Sequence, residues 1–351
     1  MYKSIFRKLL FIFPPETVHK LVVSLIKFFF KIPGARNAFR RIFSNRNEAC
    51  LEREVIGLKF SNPVGLAAGF DKNAEFFNEF SSFGFSFIEI GTVTPEPQPG
   101  NSRPRLFRLL PDNALVNRMG LNNKGVNYVK SRLQHKENQG LIIGGNIGKN
   151  SSTHNSNAVS DYIACFNELY SFVDYVAVNL SCPNVHNLSD LQNPDSVKLI
   201  IESLVNERAK FPSKKPILLK VSPDLSPEQL NQTIDAAEEA GVDGYIATNT
   251  TTGRNNLKTK KSELEKIGRG GLSGKPLRDV STEVIRFINQ KLDGKKPIIG
   301  VGGIFTPMDA LEKLEAGASL VQVYTGFIYE GPFIVKRINK LLINKMFNTY
   351  I

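Results

Sequence analysis

Cysteine is scarce: Cys50, Cys165 and Cys182 are the three in 351 residues, too few and too irregularly spaced for a disulfide framework or a cysteine-based zinc site. Such a chain suits a reducing cytoplasm, where any cysteine with chemistry works as a thiol. His19, His135, His154 and His186 show no paired spacing and no acidic neighbour motif, so no metal centre is expected. There is no nucleotide P-loop, and no GxGxxG follows a strand-like run. No apolar stretch reaches the roughly 18 to 20 uncharged residues that a bilayer-spanning helix needs, and no small-residue cleavage site follows the N-terminal apolar stretch. Disorder is excluded as well, because 41% of the residues are hydrophobic against 22% charged.

What the chain does have is unevenly placed charge. The net charge is +12, and residues 1 to 53 hold eleven Lys and Arg against three Glu, a net +8. The same segment is rich in large apolar residues, among them Phe6, Leu9, Phe11, Leu21, Leu25 and Phe28 to Phe30, interrupted by Lys20, Lys27 and Lys31. Two short helices, about 3 to 12 and 15 to 30, are predicted on either side of Pro14-Pro15, each with an apolar face edged by Lys and Arg, as in helices that lie on an anionic membrane surface. The alternative is a basic helical pair packed on the rest of the protein or touching nucleic acid. The expected organisation is an extension over 1–45 and a main domain over 46–351.

From about residue 54 the texture changes to short apolar β-prone runs separated by helix-length stretches. The runs start at Val64, Phe87, Leu141, Tyr175, Ile217, Tyr245, Ile298 and Leu320. Continuous apolar runs alternating with helical segments, such as Ser226 to Ala240 and Pro307 to Ala316, indicate parallel strands covered on both faces. Eight such units predict an α/β fold, a (β/α)8 TIM barrel. Two connections are longer than a crossover needs. Pro95 to Asn127 contains a predicted hairpin, Leu106 to Leu110 with Ala114 to Met119, and Thr250 to Lys275 reads as a polar mobile loop over the mouth.

In a barrel of this kind the strand ends converge on one mouth, where active sites sit. Gly270-Gly271-Leu272-Ser273-Gly274 and Val301-Gly302-Gly303 suit a cradle of backbone amides for a phosphate. Lys220 at a strand end would be an isolated cation unless it met an electron-rich partner such as a flavin edge; a barrel-end salt bridge is the other reading. Asn117, Asn122, Asn146, Asn179, Asn184 and Asn249 all fall at strand ends or in mouth loops. Buried carboxamides cost a few kcal/mol if unpaired, so their convergence suggests a ligand with alternating carbonyl and N–H groups.

Nine segments, in order, then match a known family: NPVGLAAGFDKN (62–73), IEIGTVTPEPQPGNSRPRLFRL (88–109), NRMGLNN (117–123), NIGKN (146–150), VNLSCPN (178–184), IATNTT (246–251), GGLSGKPL (270–277), GVGGI (300–304) and VQVYTGFIYEGP (321–332). From about residue 55 to 335, and through the N-terminal extension, the chain resembles the dihydroorotate dehydrogenases, flavin enzymes of pyrimidine synthesis, and within them the membrane-associated, quinone-reducing class. The resemblance implies FMN contacts at Ala68, Gly69, Thr92, Asn146, Asn179, Lys220, Thr248, Gly274, Gly303, Tyr324 and Thr325. It implies that Lys72, Asn117, Asn179, Asn184, Asn249 and Thr250 hold dihydroorotate, and that His19 and Arg108 line a quinone path. It also implies a peripheral position on the cytoplasmic side of the cell membrane.

One position departs from that class. It usually carries serine as the base where this chain has Cys182, as the soluble class does, and Leu121 and Val185 stand where Phe and Thr are more usual. The expectation is a cysteine base in a membrane-class body, taking the C5 proton of dihydroorotate while the C6 hydride goes to N5 of FMN. An unperturbed thiol pKa of about 8.5 lies far closer to neutrality than a serine hydroxyl. Inert burial of Cys182, and a fumarate- or NAD-linked enzyme, remain as alternatives. So do a tRNA-reducing flavin barrel, which would need basic residues around the mouth rather than at the N-terminus, and a binding module without flavin.

Overall fold

The computed structural model describes residues 2–46, 48–137, 140–181 and 191–348. Eight parallel strands close a barrel in chain order: β1 (Val64–Leu66), β2 (Phe87–Val93), β3 (Ile142–Ile147), β4 (Tyr175–Asn179), β5 (Ile217–Val221), β6 (Gly244–Ala247), β7 (Ile298–Val301) and β8 (Leu320–Val323). Strand β8 pairs β1 with Val321 opposite Val64, which closes the ring. All eight coincide with the predicted runs. Every strand residue is buried except the half-buried Ile142, because one face fills the barrel and the other lies under helices.

The predicted covering helices form over Pro227–Glu239 and Pro307–Glu315. Each begins with a capping box and Pro in the first turn: Ser226 with Gln229, and Thr306 with Asp309, satisfy each other's amides. A hairpin, Arg53–Val55 with Leu58–Phe60, precedes the first barrel strand, and Phe60 sits edge-on to Phe87 of β2 at 5.3 Å.

The hairpin expected after β2 is present as Leu106–Leu109 with Ala114–Asn117. The segment 250–275, expected as a loop, is instead largely structured. It contains a helix, Lys261–Ile267, and a strand, Gly271–Gly274, that pairs antiparallel with Ala114–Asn117 to make a three-stranded side sheet. Two carboxylates hold the irregular part: Asp112 accepts from the Lys258 and Thr259 amides at 2.6 and 3.0 Å, and Asp224 accepts from the Thr252 amide at 2.7 Å. These contacts join residues up to 147 positions apart, so no local pattern announces them.

The N-terminal extension has a π-helical turn, Tyr2–Phe6, running into α1 (Arg7–Leu10), then α2 (Pro15–Phe29) and α3 (Ala35–Phe43). The third helix was not expected. Its Phe39 and Phe43, four apart and so on one face, pack on Phe83 at 5.7 and 4.9 Å between ring centroids. The extension is docked on the barrel, yet eleven of the eighteen exposed large apolar side chains among the described residues lie between Ile5 and Ile42. No single helix among the described residues is long and apolar enough to cross a membrane; the chain bends by 117° between Tyr2–Leu10 and Pro15–Phe29.

Candidate active site

At the C-terminal ends of the barrel strands lies a cleft lined by residues from the strand ends and the loops that follow them. The ends of all the barrel strands except β3, with the side sheet, supply its walls, as expected for this architecture.

Its floor is a connected set of polar side chains. Lys220 at the end of β5 is almost fully buried and donates to Glu89 Oε1 at 3.1 Å. The salt-bridge reading of this lysine therefore holds, and the ammonium also faces the cleft. Asn146 does not line the cleft: it lies one layer down, donating to Glu89 at 2.8 Å and accepting from Thr92 Oγ1 at 2.5 Å. Asn179 donates to Thr92 at 2.9 Å and accepts from Asn249 at 3.1 Å. Three of the six carboxamides expected at the mouth, Asn146, Asn179 and Asn249, are thus joined through Thr92 in one hydrogen-bonded chain.

Ala68 and Gly69 follow β1, and Thr248 follows β6, on the cleft wall. Gly274 of the side sheet, Gly302 and Gly303 after β7, and Tyr324 and Thr325 after β8 form a rim. At Gly303 φ is +72° and an added Cβ would come within 2.4 Å of the Arg278 Cα, so only glycine keeps that part of the rim open. Burial pushes the Tyr324 hydroxyl up to about 12, so it stays protonated.

Lys72, Asn117, Asn249 and Thr250 also line the cleft. Lys72 donates to Asn122 Oδ1 at 2.7 Å, which places the ammonium beside the cleft. Asn117 Nδ2 donates to the Gly271 carbonyl at 3.2 Å, joining the hairpin to the third strand of the side sheet. Cys182 and Asn184, together with Val185, lie outside the described residues.

His19 and Arg108 are not in the cleft wall. His19, half-buried on α2, meets the ring of Phe70 at 5.0 Å, and Phe70 meets Tyr324 at 5.5 Å, so three rings lead from the extension to the cleft. Burial and the neighbouring Lys72 charge lower the His19 imidazole from 6.5 to about 4. Arg108 donates to the Phe11 and Phe13 carbonyls at 3.2 and 2.7 Å and lies over the Phe11 ring.

Sequence reasoning missed Glu89, Tyr175 and Gln322. Each is a polar residue in an apolar barrel strand, which was the available signal. Gln322 lines the cleft, is fully buried, and its Oε1 has no hydrogen-bond partner among the described residues. Together with the glycine rim and the Lys220 cation, that orphaned acceptor suits a planar heterocycle bearing N–H groups and a phosphate tail, as a flavin mononucleotide has.

The family model for dihydroorotate dehydrogenase matches residues 50–346. A Christiangramia forsetii protein named dihydroorotate dehydrogenase (quinone) is 53% identical over 346 residues, covering 98% of this chain and 99% of its own. A Cellvibrio japonicus protein of the same name is 45% identical over 95% of this chain and 96% of its own. Among solved structures, the Eimeria tenella enzyme in complex with ferulenol superposes with a TM-score of 0.85 at 36% identity, covering 95% of this chain and 92% of that one.

Proposed function

This chain belongs to the dihydroorotate dehydrogenase family, and on that premise we propose how its cleft does the family's work. The protein is an oxidoreductase of pyrimidine biosynthesis: dihydroorotate and a quinone become orotate and a quinol. The flavin would be FMN, held by Ala68, Gly69, Thr92, Asn179, Lys220, Thr248, Gly274, Gly303, Tyr324 and Thr325, with Asn146 supporting this set from below. When bound, it accepts the hydride that leaves the substrate.

The observation that carries the substrate reading is the grouping of Lys72 with Asn117, Asn179 and Asn249 in one cleft. An ammonium answers a carboxylate, and carboxamides present a donor and an acceptor side by side to the ring amides of a cyclic ureide. Thr250, on the same wall, and Asn184 complete the set. Cys182 Sγ takes the C5 proton, needing less assistance than a serine hydroxyl because its ordinary pKa is about 8.5. Lys72 and the asparagines stabilise charge that develops on the carbonyl side.

Residues 1–45 form a membrane-associating extension and 46–351 the catalytic domain. Eleven outward apolar side chains on a segment of net charge +8 suit a peripheral seat on the anionic cytoplasmic face of the membrane. The quinone enters between the extension and the barrel, past His19 and Arg108.

Anaerobic mixing of the purified protein with dihydroorotate, followed by separate addition of a soluble quinone or fumarate, tests the scheme. Bleaching of the flavin and reoxidation by quinone alone is the expected result, with FMN identified in the released cofactor. Reoxidation by fumarate alone would contradict the acceptor, and no bleaching would contradict the substrate.

A further inference from the structure

Beneath the cleft, Glu89 of β2 has no exposed surface and accepts four hydrogen bonds from four other strands. Oε1 accepts from Lys220 at 3.1 Å and Asn146 at 2.8 Å; Oε2 accepts from Gln322 at 2.7 Å and Tyr175 at 3.2 Å. Partners on β3, β4, β5 and β8 place the carboxylate inside the barrel, and four donors are the full complement of an ionised carboxylate.

An anion that only accepts dictates the sense of everything bonded to it. Asn146 must turn its amide N–H to Glu89, so its Oδ1 faces Thr92 and takes the hydroxyl proton. Thr92 then accepts from Asn179, whose Oδ1 accepts from Asn249, whose Oδ1 accepts from the Thr250 amide. One charge orients the carboxamides as far as the substrate wall. The same charge balances the Lys220 ammonium, and in a site of low local dielectric it is felt strongly.

We propose that Glu89 is a positioning residue that, through Lys220, sets how strongly the site favours the reduced over the oxidised flavin. This rests on the flavin reading above. Two electrons and one proton taken up as a hydride leave the flavin one negative charge richer, and charge near its pyrimidine edge tunes that step. The carboxylate weakens the pull of Lys220 and thereby holds the potential down.

Glu89→Gln keeps the shape and removes the charge, with its Oε1 still able to accept from Lys220 and Asn146. The expected result is a rise in flavin midpoint potential corresponding to at least a tenfold greater preference for reduced FMN, about 30 mV for a two-electron couple. Tyr175→Phe removes one donor from the carboxylate, leaving its charge less neutralised, and is expected to move the potential a smaller amount downward. Titration of both holoproteins against redox dyes, with FMN dissociation constants in each oxidation state, reads this without turnover. Opposite shifts support the proposal; unmoved potentials, or shifts of the same sign, overturn it. If Glu89→Gln does not fold, Tyr175→Phe decides alone: a downward shift supports, and any other result overturns. Wild-type protein that binds no flavin would overturn the flavin reading itself, and this proposal with it.

Discussion

Arg105 and Glu16 bolt the N-terminal extension to the barrel: Nε and Nη2 of Arg105 both donate to Glu16 Oε1 at 3.1 Å. Arg105 is nearly fully buried and its Nη1 donates to the Pro99 and Asn101 carbonyls, so the guanidinium is fixed before Glu16 reaches it. A preordered fork loses less entropy on pairing than two free side chains, which makes this pair stronger than an ordinary surface bridge. The bond links the first turn of α2 to the segment leading into the hairpin that walls the cleft.

Glu16→Ala leaves that buried fork short of an acceptor, at a cost of roughly 1–3 kcal/mol to docking of the extension. Quinone-dependent reoxidation is therefore expected to slow while reduction by dihydroorotate keeps its rate, and limited proteolysis should cut the extension sooner. Rapid-mixing measurement of the two half-reactions checks this; equal slowing of both would contradict it.

His19 carries a pH dependence of known sign. Its imidazole has a pKa near 4 when docked and an ordinary value of 6.5 when released. Between those values the released form binds a proton that the docked form refuses, so docking weakens as pH falls from about 6.5 toward 4. Replacing His19 with Gln should remove that part of the pH dependence. An NMR titration of the imidazole with a midpoint near 6.5 would show the assignment to be wrong.

Cys182→Ala is expected to bind orotate and to lose flavin reduction, since the C5 proton has no acceptor. Cys182→Ser should keep some activity, with the plateau of the reductive half-reaction moved to higher pH, because a hydroxyl is far harder to ionise than a thiol. A near-wild-type rate in the alanine variant would remove the cysteine from the mechanism.

Lys31, Arg40 and Arg41 are exposed on the extension. At about 1 kcal/mol per basic residue near an anionic surface, converting all three to Gln should weaken partitioning to phosphatidylserine vesicles on the order of a hundredfold, with little change on neutral vesicles. Sedimentation with the two vesicle types measures it; undiminished binding would mean that the basic charge is not the handle.

The barrel was legible because its signals are local. Each strand lies in a short, mostly apolar run, nearly every run ends in Gly, Asn, Thr or Lys, and the capping pairs Ser226–Gln229 and Thr306–Asp309 are three residues apart. The helix α3 escaped because its short basic sequence is held by two phenylalanines whose partner, Phe83, lies forty residues on in another element. The ordered segment 250–275 escaped for the same kind of reason, its anchor Asp112 being far away in sequence.

The sequence by itself determined the order of the elements, the glycines of the rim, the side chains at the strand ends and the basic apolar character of the extension, since all of these follow from short-range pattern and residue chemistry. Tertiary structure alone decided that Asn146 lies below the cleft rather than in its wall, and that Lys220 faces both a carboxylate and the open space. It alone brought Glu89 to Gln322 across 233 positions. Closing a parallel barrel points side chains of non-adjacent strands at one another across its interior, and only that closure determines which buried polar groups satisfy one another.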